Sequence, residues 1–296
     1  MRSGLLFGFG AYAMWGLFPA FFPLLKPAGA VEVLAHRIIW SFLFMAVVVA
    51  VVRRLGDLRT LDRRTWLLLT AASALISVNW VIYVYAVNNG HVVDAALGYF
   101  INPLVSIALG LLIFRERLNR WQLGALVIAV VAVVVLTVNV GAPPVIGLGL
   151  ALSFGMYGAV KKSVTTDPRV SVGIEAGLAT PFALAYVAAL AATGHSTFTG
   201  YGGGHTVLMV LAGVLTALPL LLFAAAAQRL AMVSLGLLFY MTPAMQLSWG
   251  VLVGHEPMPP ARWLGFALIW LALAVFTVDA VRRARSDRRA GSPAAG

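Results

Sequence analysis

The chain of 296 residues is 61% hydrophobic, only 10% charged and free of cysteine. Soluble domains carry about 25% charged residues, so an ordinary soluble fold is excluded, and the missing thiols exclude disulfides, thiolate metal sites and cysteine nucleophiles. The net charge of +11 does not make a nucleic-acid binder, because the basic residues stand in short loops and a tail between apolar runs. Phosphate binding needs a contiguous basic face.

A membrane-spanning helix takes about 20 mostly apolar residues. Ten stretches qualify: 5–25, 33–52, 66–87, 93–113, 121–140, 145–160, 171–193, 206–228, 230–253 and 263–281. The first is not a signal peptide, since its apolar run reaches Leu25 and carries Tyr12, Trp15 and Pro19 inside it. The sixth is short and requires Lys161 and Lys162 to snorkel to the interface. Between the fifth and sixth, the turn G-A-P-P (141–144) divides the chain into halves 1–142 and 143–281. The loop 194–205, rich in Gly, Ser and Thr, reads as a flexible turn outside the membrane. Residues 282–296 form a basic tail with nothing to bury, predicted to be disordered.

With the N-terminus in the cytoplasm, 18 of the 21 Lys and Arg residues fall on the cytoplasmic side. Lys26 and Arg262 fall outside, and Arg37 lies within a span. This is the positive-inside bias, and it predicts ten spans with both termini cytoplasmic.

The run from Asp94 to Glu116 (D-A-A-L-G-Y-F-I-N-P-L-V-S-I-A-L-G-L-L-I-F-R-E) returns at a constant offset as Ser234 to Glu256. Pro103 then meets Pro243, Gly110 meets Gly250, Glu116 meets Glu256, and Asn102 meets Thr242. Five spans per half is an odd number, so the second copy is upside down relative to the first. The basic loop R-E-R-L-N-R (115–120) accordingly corresponds to H-E-P-M-P-P (255–260), without its basic residues. The predicted fold class is an all-α polytopic membrane protein of ten transmembrane helices in two inverted five-helix repeats. Secondary transporters have this architecture, with the site near the midplane between halves.

Ionisable residues inside spans are costly and mark partners or water-filled paths. The second span opens E-V-L-A-H-R, which puts Glu32 and His36 on one helix face and Arg37 about 9 Å in from the start of the helix. Arg37 is expected to offer a fixed positive charge to an anionic or polar substrate, or else to pair with Glu32. Glu32, His36 and Asp94 are the proton-coupling candidates, since histidine titrates near neutral pH; packing, and helix capping for Asp94, are the competing roles. His91 and Asp94 stand at the outer end of the fourth span. Glu175 corresponds to Glu32 and reads as a solvated interfacial carboxylate, and Glu116 as a structural cap. In the third span, Asn79 and Tyr83 are i,i+4, and in the fourth, Tyr99, Asn102 and Ser106 share a face. Pro103 removes a backbone bond there. Gln246 is on the equivalent face of the echo, and Tyr12 and Trp15 offer an aromatic wall. The expected substrate-binding set is thus Arg37, His36, Asn79, Tyr83, Tyr99, Asn102, Tyr12, Trp15 and Gln246.

The runs Y-A-M-W-G-L-F-P (12–19), E-V-L-A-H-R-I-I-W-S (32–41), N-W-V-I-Y-V-Y-A-V-N-N-G-H (79–91) and L-G-Y-F-I-N-P-L (97–104) resemble the RarD branch of the EamA-type transporters, in the drug/metabolite transporter superfamily. The resemblance covers nearly the whole chain through Asp279. It implies a ten-helix bacterial inner-membrane permease of two inverted repeats. RarD-type proteins are commonly labelled chloramphenicol-sensitivity or resistance permeases. One departure is Asp94, where this branch has Glu; the carboxylate is kept. The expected function is secondary active transport of a small polar or amphipathic metabolite or drug, driven by alternating access and open to proton coupling. No cofactor and no metal are expected, and the partners are a small-molecule substrate and the lipid bilayer, with the chain a monomer or homodimer. The alternative function is a membrane channel, which would want a ring of repeated charges or carbonyls, or a membrane-embedded enzyme. ATP-driven pumping lacks a phosphate-binding loop, and a membrane-embedded enzyme lacks H-E-x-x-H.

Overall fold

The computed structural model describes residues 2–88, 92–138 and 145–253, together with 263, 264, 267, 268, 270–272, 274, 275, 278, 279 and 282. The chain is all-helical over these residues. In order the helices are α1 (Arg2–Gly16), α2 (Phe18–Phe21), a 3-10 turn (Phe22–Leu25), α3 (Ala30–Val51), α4 (Asp57–Thr60), α5 (Arg63–Asn88) and α6 (Val92–Leu112). Then come α7 (Arg120–Val138), α8 (Val145–Ser163), α9 (Pro168–Ala192), α10 (Gly202–Ala227), α11 (Met232–Phe239) and α12 (Met241–Leu252). The described residues among 263–282 are helical too. The turn at 141–144, His91, Glu256 and residues 283–296 lie outside the described residues, and so does the side chain of Asp94.

Among the described residues, five helices are long and apolar enough to cross a membrane, and two shorter apolar ones, Gly98–Leu112 and Arg120–Val135, accompany them. Their outer faces carry large apolar side chains bare to the surroundings, such as Phe182 and Leu112 at 79% exposure. Two expected spans differ from single rods. The first breaks after Gly16 into α2 and the 3-10 turn, where Pro19 and Pro23 remove amide donors. The echo span breaks at Tyr240 into α11 and α12, three residues before Pro243, whereas α6 runs unbroken through Pro103.

Polar ends of helices are capped from the sequence. Asp62 Oδ1 accepts from the Thr65 amide ahead of α5 (2.9 Å). Asn119 and Gln122 bond reciprocally at the start of α7, Asn119 Oδ1 accepting from the Gln122 amide (2.8 Å) and Gln122 Oε1 from the Asn119 amide (3.1 Å). This is a capping box. Asp167 accepts from the Arg169 amide (2.9 Å), with Pro168 in the first helical position of α9. Its carboxyl is held below the ordinary carboxylate range by the side-chain hydrogen bond from Arg169.

Helix α3 packs on α9 and α10, α1 on α10 and α12, α8 on both α5 and α6, α6 on α11, and α5 on α9. Backbones come very close at α3–α10: a Cβ on Gly213 would sit 2.3 Å from Trp40 Cβ and 2.7 Å from the Ser41 nitrogen. Ser41 Oγ donates to the Gly213 carbonyl across this crossing (2.7 Å). One end of the bundle joins the start of α3 to the α9–α10 loop through Glu32, Ser196 and Thr197. The other end joins the start of α11 to Glu116 and the end of α10 to the α8–α9 turn through Gln228.

Three expectations need correction here. The loop 194–205 is folded, not free: Thr197 bonds Glu32, Phe198 stacks on His36, and Thr206 Oγ1 donates to the Phe198 carbonyl (2.6 Å). Lys161 does not snorkel; it is fully buried, and Glu175 is buried rather than solvated. Each charge has the other as partner, at 2.5 Å, so neither needs the interface.

Candidate functional site

A cavity of about 250 Å³ lies within the bundle, close to the lower end of the range for small-molecule sites, about 300–1,000 Å³. Helices α1, α3, α5, α6, α8, α10, α11 and α12 all contribute to its wall. Trp15, Arg37, Asn79, Tyr83, Tyr99, Asn102 and Gln246 of the expected set line it, together with Trp80, Phe154, Phe239 and Thr242.

The break in α1 explains one corner. Pro19 has no amide to give the Trp15 carbonyl four residues back, and Gln246 Nε2 of α12 donates there instead (3.2 Å). One turn deeper, Thr242 Oγ1 donates to the Tyr12 carbonyl (3.0 Å). The broken first span and the broken echo span thus hold each other through side-chain amide and hydroxyl groups. Asn79 is partly engaged in structure: its Nδ2 donates to the Leu150 carbonyl and to Ser153 Oγ of α8, both at 2.9 Å.

The walls are aromatic. Tyr83 and Tyr99 have ring centroids 6.0 Å apart, Tyr99 stacks on Phe239 at 6.2 Å, and Trp15 meets Phe154 edge-on at 5.6 Å. Beneath them Tyr12 is buried against Phe239 (5.4 Å) and Phe223 (6.2 Å). Tyr12 therefore supports the wall from behind and is not among the lining residues.

Arg37 is the cationic residue of the lining. Its Nε donates to Thr216 Oγ1 of α10 (2.7 Å), and its guanidinium carbon lies 5.4 Å from the Phe18 ring, 5.3 Å from Phe22 and 5.4 Å from Trp80. Ring faces stabilise a guanidinium without neutralising it. Among the described residues, no carboxylate comes within ion-pair distance of it. The alternative Glu32–Arg37 pair does not form. Glu32 instead accepts from the Thr197 amide (2.7 Å), Thr197 Oγ1 (2.9 Å) and Ser196 Oγ (3.1 Å).

His36 does not line the cavity either. Its ring stacks on Phe198 at 4.4 Å, its Nδ1 accepts from Trp40 Nε1 (3.3 Å), and its Nε2 is buried without a partner. Adjacent positions on a helix point about 100° apart, which is why His36 and Arg37 diverge. Glu116 is a cap, as expected, but of a distant helix: its carboxylate accepts from the amides of Met232 (2.9 Å) and Val233 (3.1 Å) at the start of α11. Lys162 Nζ supports it at 3.5 Å.

The sequence reading missed Phe18, Phe22 and Thr216 around Arg37. Phe18 and Phe22 stand four apart, a spacing that carries a shared face, but the broken helix obscures it. Thr216 came to Arg37 only through the packing of α10 on α3. No group of three or more His, Asp or Glu that could hold a metal occurs among the described residues.

The EamA-like transporter family model matches residues 2–138. A protein RarD of Streptomyces exfoliatus is 51% identical over 289 residues, covering 97% of this chain and 92% of that protein. A protein RarD of Escherichia coli K12 is 38% identical, covering 95% of each. A solved crystal structure aligns at a TM-score of 0.71 over 95% of this chain and 99% of its own, at 19% identity, a likeness of fold. With its long apolar helices and its aromatic internal cavity, this chain is a multi-pass membrane protein and belongs to the EamA-like transporter family as a RarD-type permease.

Proposed function

We propose that the chain is a secondary carrier of the bacterial inner membrane. It moves an amphipathic solute with a flat apolar part and an anionic or hydrogen-bond-accepting end. The observation that carries this reading is Arg37: a cation in the wall of an aromatic cavity, with ring faces around it and no carboxylate partner among the described residues. Its guanidinium serves as the polar anchor, because its fork of donors fits a carboxylate or a similar acceptor group. Tyr83, Tyr99 and Trp15 serve as the stacking walls, and Asn102 and Gln246 supply orientation.

Alternating access by two inverted five-helix repeats is supported by the packing. Exchanging each helix of the first half for its counterpart in the second turns the α1–α10 contact into α8–α5 and the α6–α8 contact into α12–α1, and both pairs are present. The α3–α9 and α6–α11 contacts map onto themselves. With the N-terminus inside, the cavity belongs to the outer half of the bundle and both termini are cytoplasmic.

Transport of radiolabelled chloramphenicol and of labelled metabolite pools into proteoliposomes tests the reading. Arg37→Ala is expected to raise the half-saturating concentration of the transported solute. If affinity and rate stay unchanged, Arg37 is not the anchor.

A further inference from the structure

Resting on the carrier reading, we propose that the solute is a carboxylate monoanion gripped end-on by the two Nη groups of Arg37. Thr216 is the positioning residue that reserves them for it.

A guanidinium holds five N–H donors in one plane. It can offer a carboxylate either of two paired edges, Nε with one Nη or the two Nη together. Here the first edge is taken. Arg37 Nε donates to Thr216 Oγ1 (2.7 Å), and the single hydroxyl proton of Thr216 goes to the Ala212 carbonyl (2.7 Å). The Thr216 oxygen therefore faces Arg37 only as an acceptor, oriented from within its own helix. It is 1% exposed and stands behind the cavity wall, outside the lining. Among the described residues nothing accepts a hydrogen bond from Nη1 or Nη2. Phe18, Phe22 and Trp80 meet the guanidinium with ring faces, which offer it no oxygen. Buried donors left without acceptors are costly. The acceptors missing from this wall are what the solute brings.

Charge narrows the solute further. Arg37 is the one charged residue among the described residues of the lining. No internal counter-ion competes for it, because the nearby buried carboxylates are engaged elsewhere. Glu32 accepts from Ser196 and Thr197, Glu116 from the amides of Met232 and Val233, and Glu175 pairs with Lys161. A monoanion cancels the single positive charge. A dianion would leave one negative charge over and a cation would add a second positive one, and either uncompensated charge is costly away from water. A neutral amide has one oxygen for two Nη groups and leaves the guanidinium charge standing. Asn102 and Gln246 are neutral and orient the solute without altering this balance. The cavity of about 250 Å³ is smaller than those that hold drug-sized ligands, about 300–1,000 Å³. It suits a small acid whose flat part lies between the rings of Tyr83 and Tyr99.

The test is a charge series of one shape. The purified protein in detergent is dialysed to equilibrium against labelled phenylacetate at about pH 7.5, where carboxylates are ionised and amines protonated. Phenylacetamide and phenylethylamine are the unlabelled neutral and cationic competitors. Phenylacetate is expected to bind saturably and at least about ten-fold more tightly than phenylacetamide, the worth of one hydrogen bond to a charged group. Phenylethylamine should not compete. Thr216→Val keeps the side-chain shape but removes the acceptor, and should cut the preference for carboxylate over amide about five-fold by loosening the guanidinium. Thr216→Ser, which keeps the hydroxyl, should retain it. Absence of saturable phenylacetate binding, or an amide or amine that competes as well as phenylacetate itself, overturns the proposal without recourse to any variant. A preference unchanged in Thr216→Val overturns the positioning role. Counterflow of a neutral solute without carboxylate binding sinks this site alone. Charge-selective binding without counterflow of any solute upholds the site and sinks the carrier reading.

Discussion

Arg37 on α3 donates its Nε to Thr216 Oγ1 on α10 at 2.7 Å, while its guanidinium lies against the rings of Phe18, Phe22 and Trp80. The hydroxyl fixes the plane of the guanidinium, and the rings exclude water from its faces. A hydrogen bond to a charged group contributes about 1.5–3 kcal/mol. Arg37→Ala should therefore weaken solute binding by about 10- to 100-fold, read as quenching of the fluorescence of Trp15 and Trp80. Arg37→Lys, which keeps the charge but not the planar fork, should recover only part of the affinity. Full recovery by lysine would mean that charge alone matters.

The buried Lys161–Glu175 pair predicts a non-additive stability cycle. Lys161→Met leaves the Glu175 carboxylate buried without its cation and should cost about 3–5 kcal/mol. The double variant Lys161→Met, Glu175→Met should regain most of that loss. Thermal unfolding in detergent measures both. A double variant as unstable as the sum of the singles would contradict the pairing.

At the α3–α10 crossing, Gly213 has no room for a methyl group, since its Cβ would overlap both Trp40 and the backbone at Ser41. Gly213→Ala should cost about 1–3 kcal/mol as overpacking and lower the unfolding temperature. Gly203→Ala, where nothing lies within 4 Å of the added Cβ, is the control and should leave it unchanged.

Orientation is testable with the same cysteine-free chain. Thr60→Cys on α4 and Thr199→Cys in the α9–α10 loop should react with an impermeant reagent from opposite faces of the membrane, Thr60 from the cytoplasm. Labelling of both from one face would contradict the topology.

Much of the cavity was legible because polar residues at helical spacing inside apolar runs have few other uses. Asn79 and Tyr83, and Tyr99 and Asn102, reached the cavity wall from spacing alone. The failures are long-range. Glu32 was placed near Arg37 by sequence, yet its partners lie more than 160 residues away in the 194–205 loop. Lys161 and Glu175 stand in different helices on either side of a turn, and periodicity says nothing about which faces of two helices meet. His36 and Arg37 are neighbours in sequence whose side chains diverge, one into the α9–α10 loop and one into the cavity. The breaks after Gly16 and at Tyr240 were not expected, since a proline alone does not decide them and α6 runs unbroken through Pro103; their mutual bracing through Gln246 and Thr242 came only with the packing.

The most direct test of the carrier is counterflow. Proteoliposomes preloaded with unlabelled solute, taken from the chloramphenicol and metabolite screen, are diluted into a trace of the labelled form. A carrier with one cavity opening alternately predicts a transient internal accumulation of label that saturates with solute and weakens in Arg37→Ala. Label that only equilibrates, without overshoot and in proportion to concentration, would contradict it.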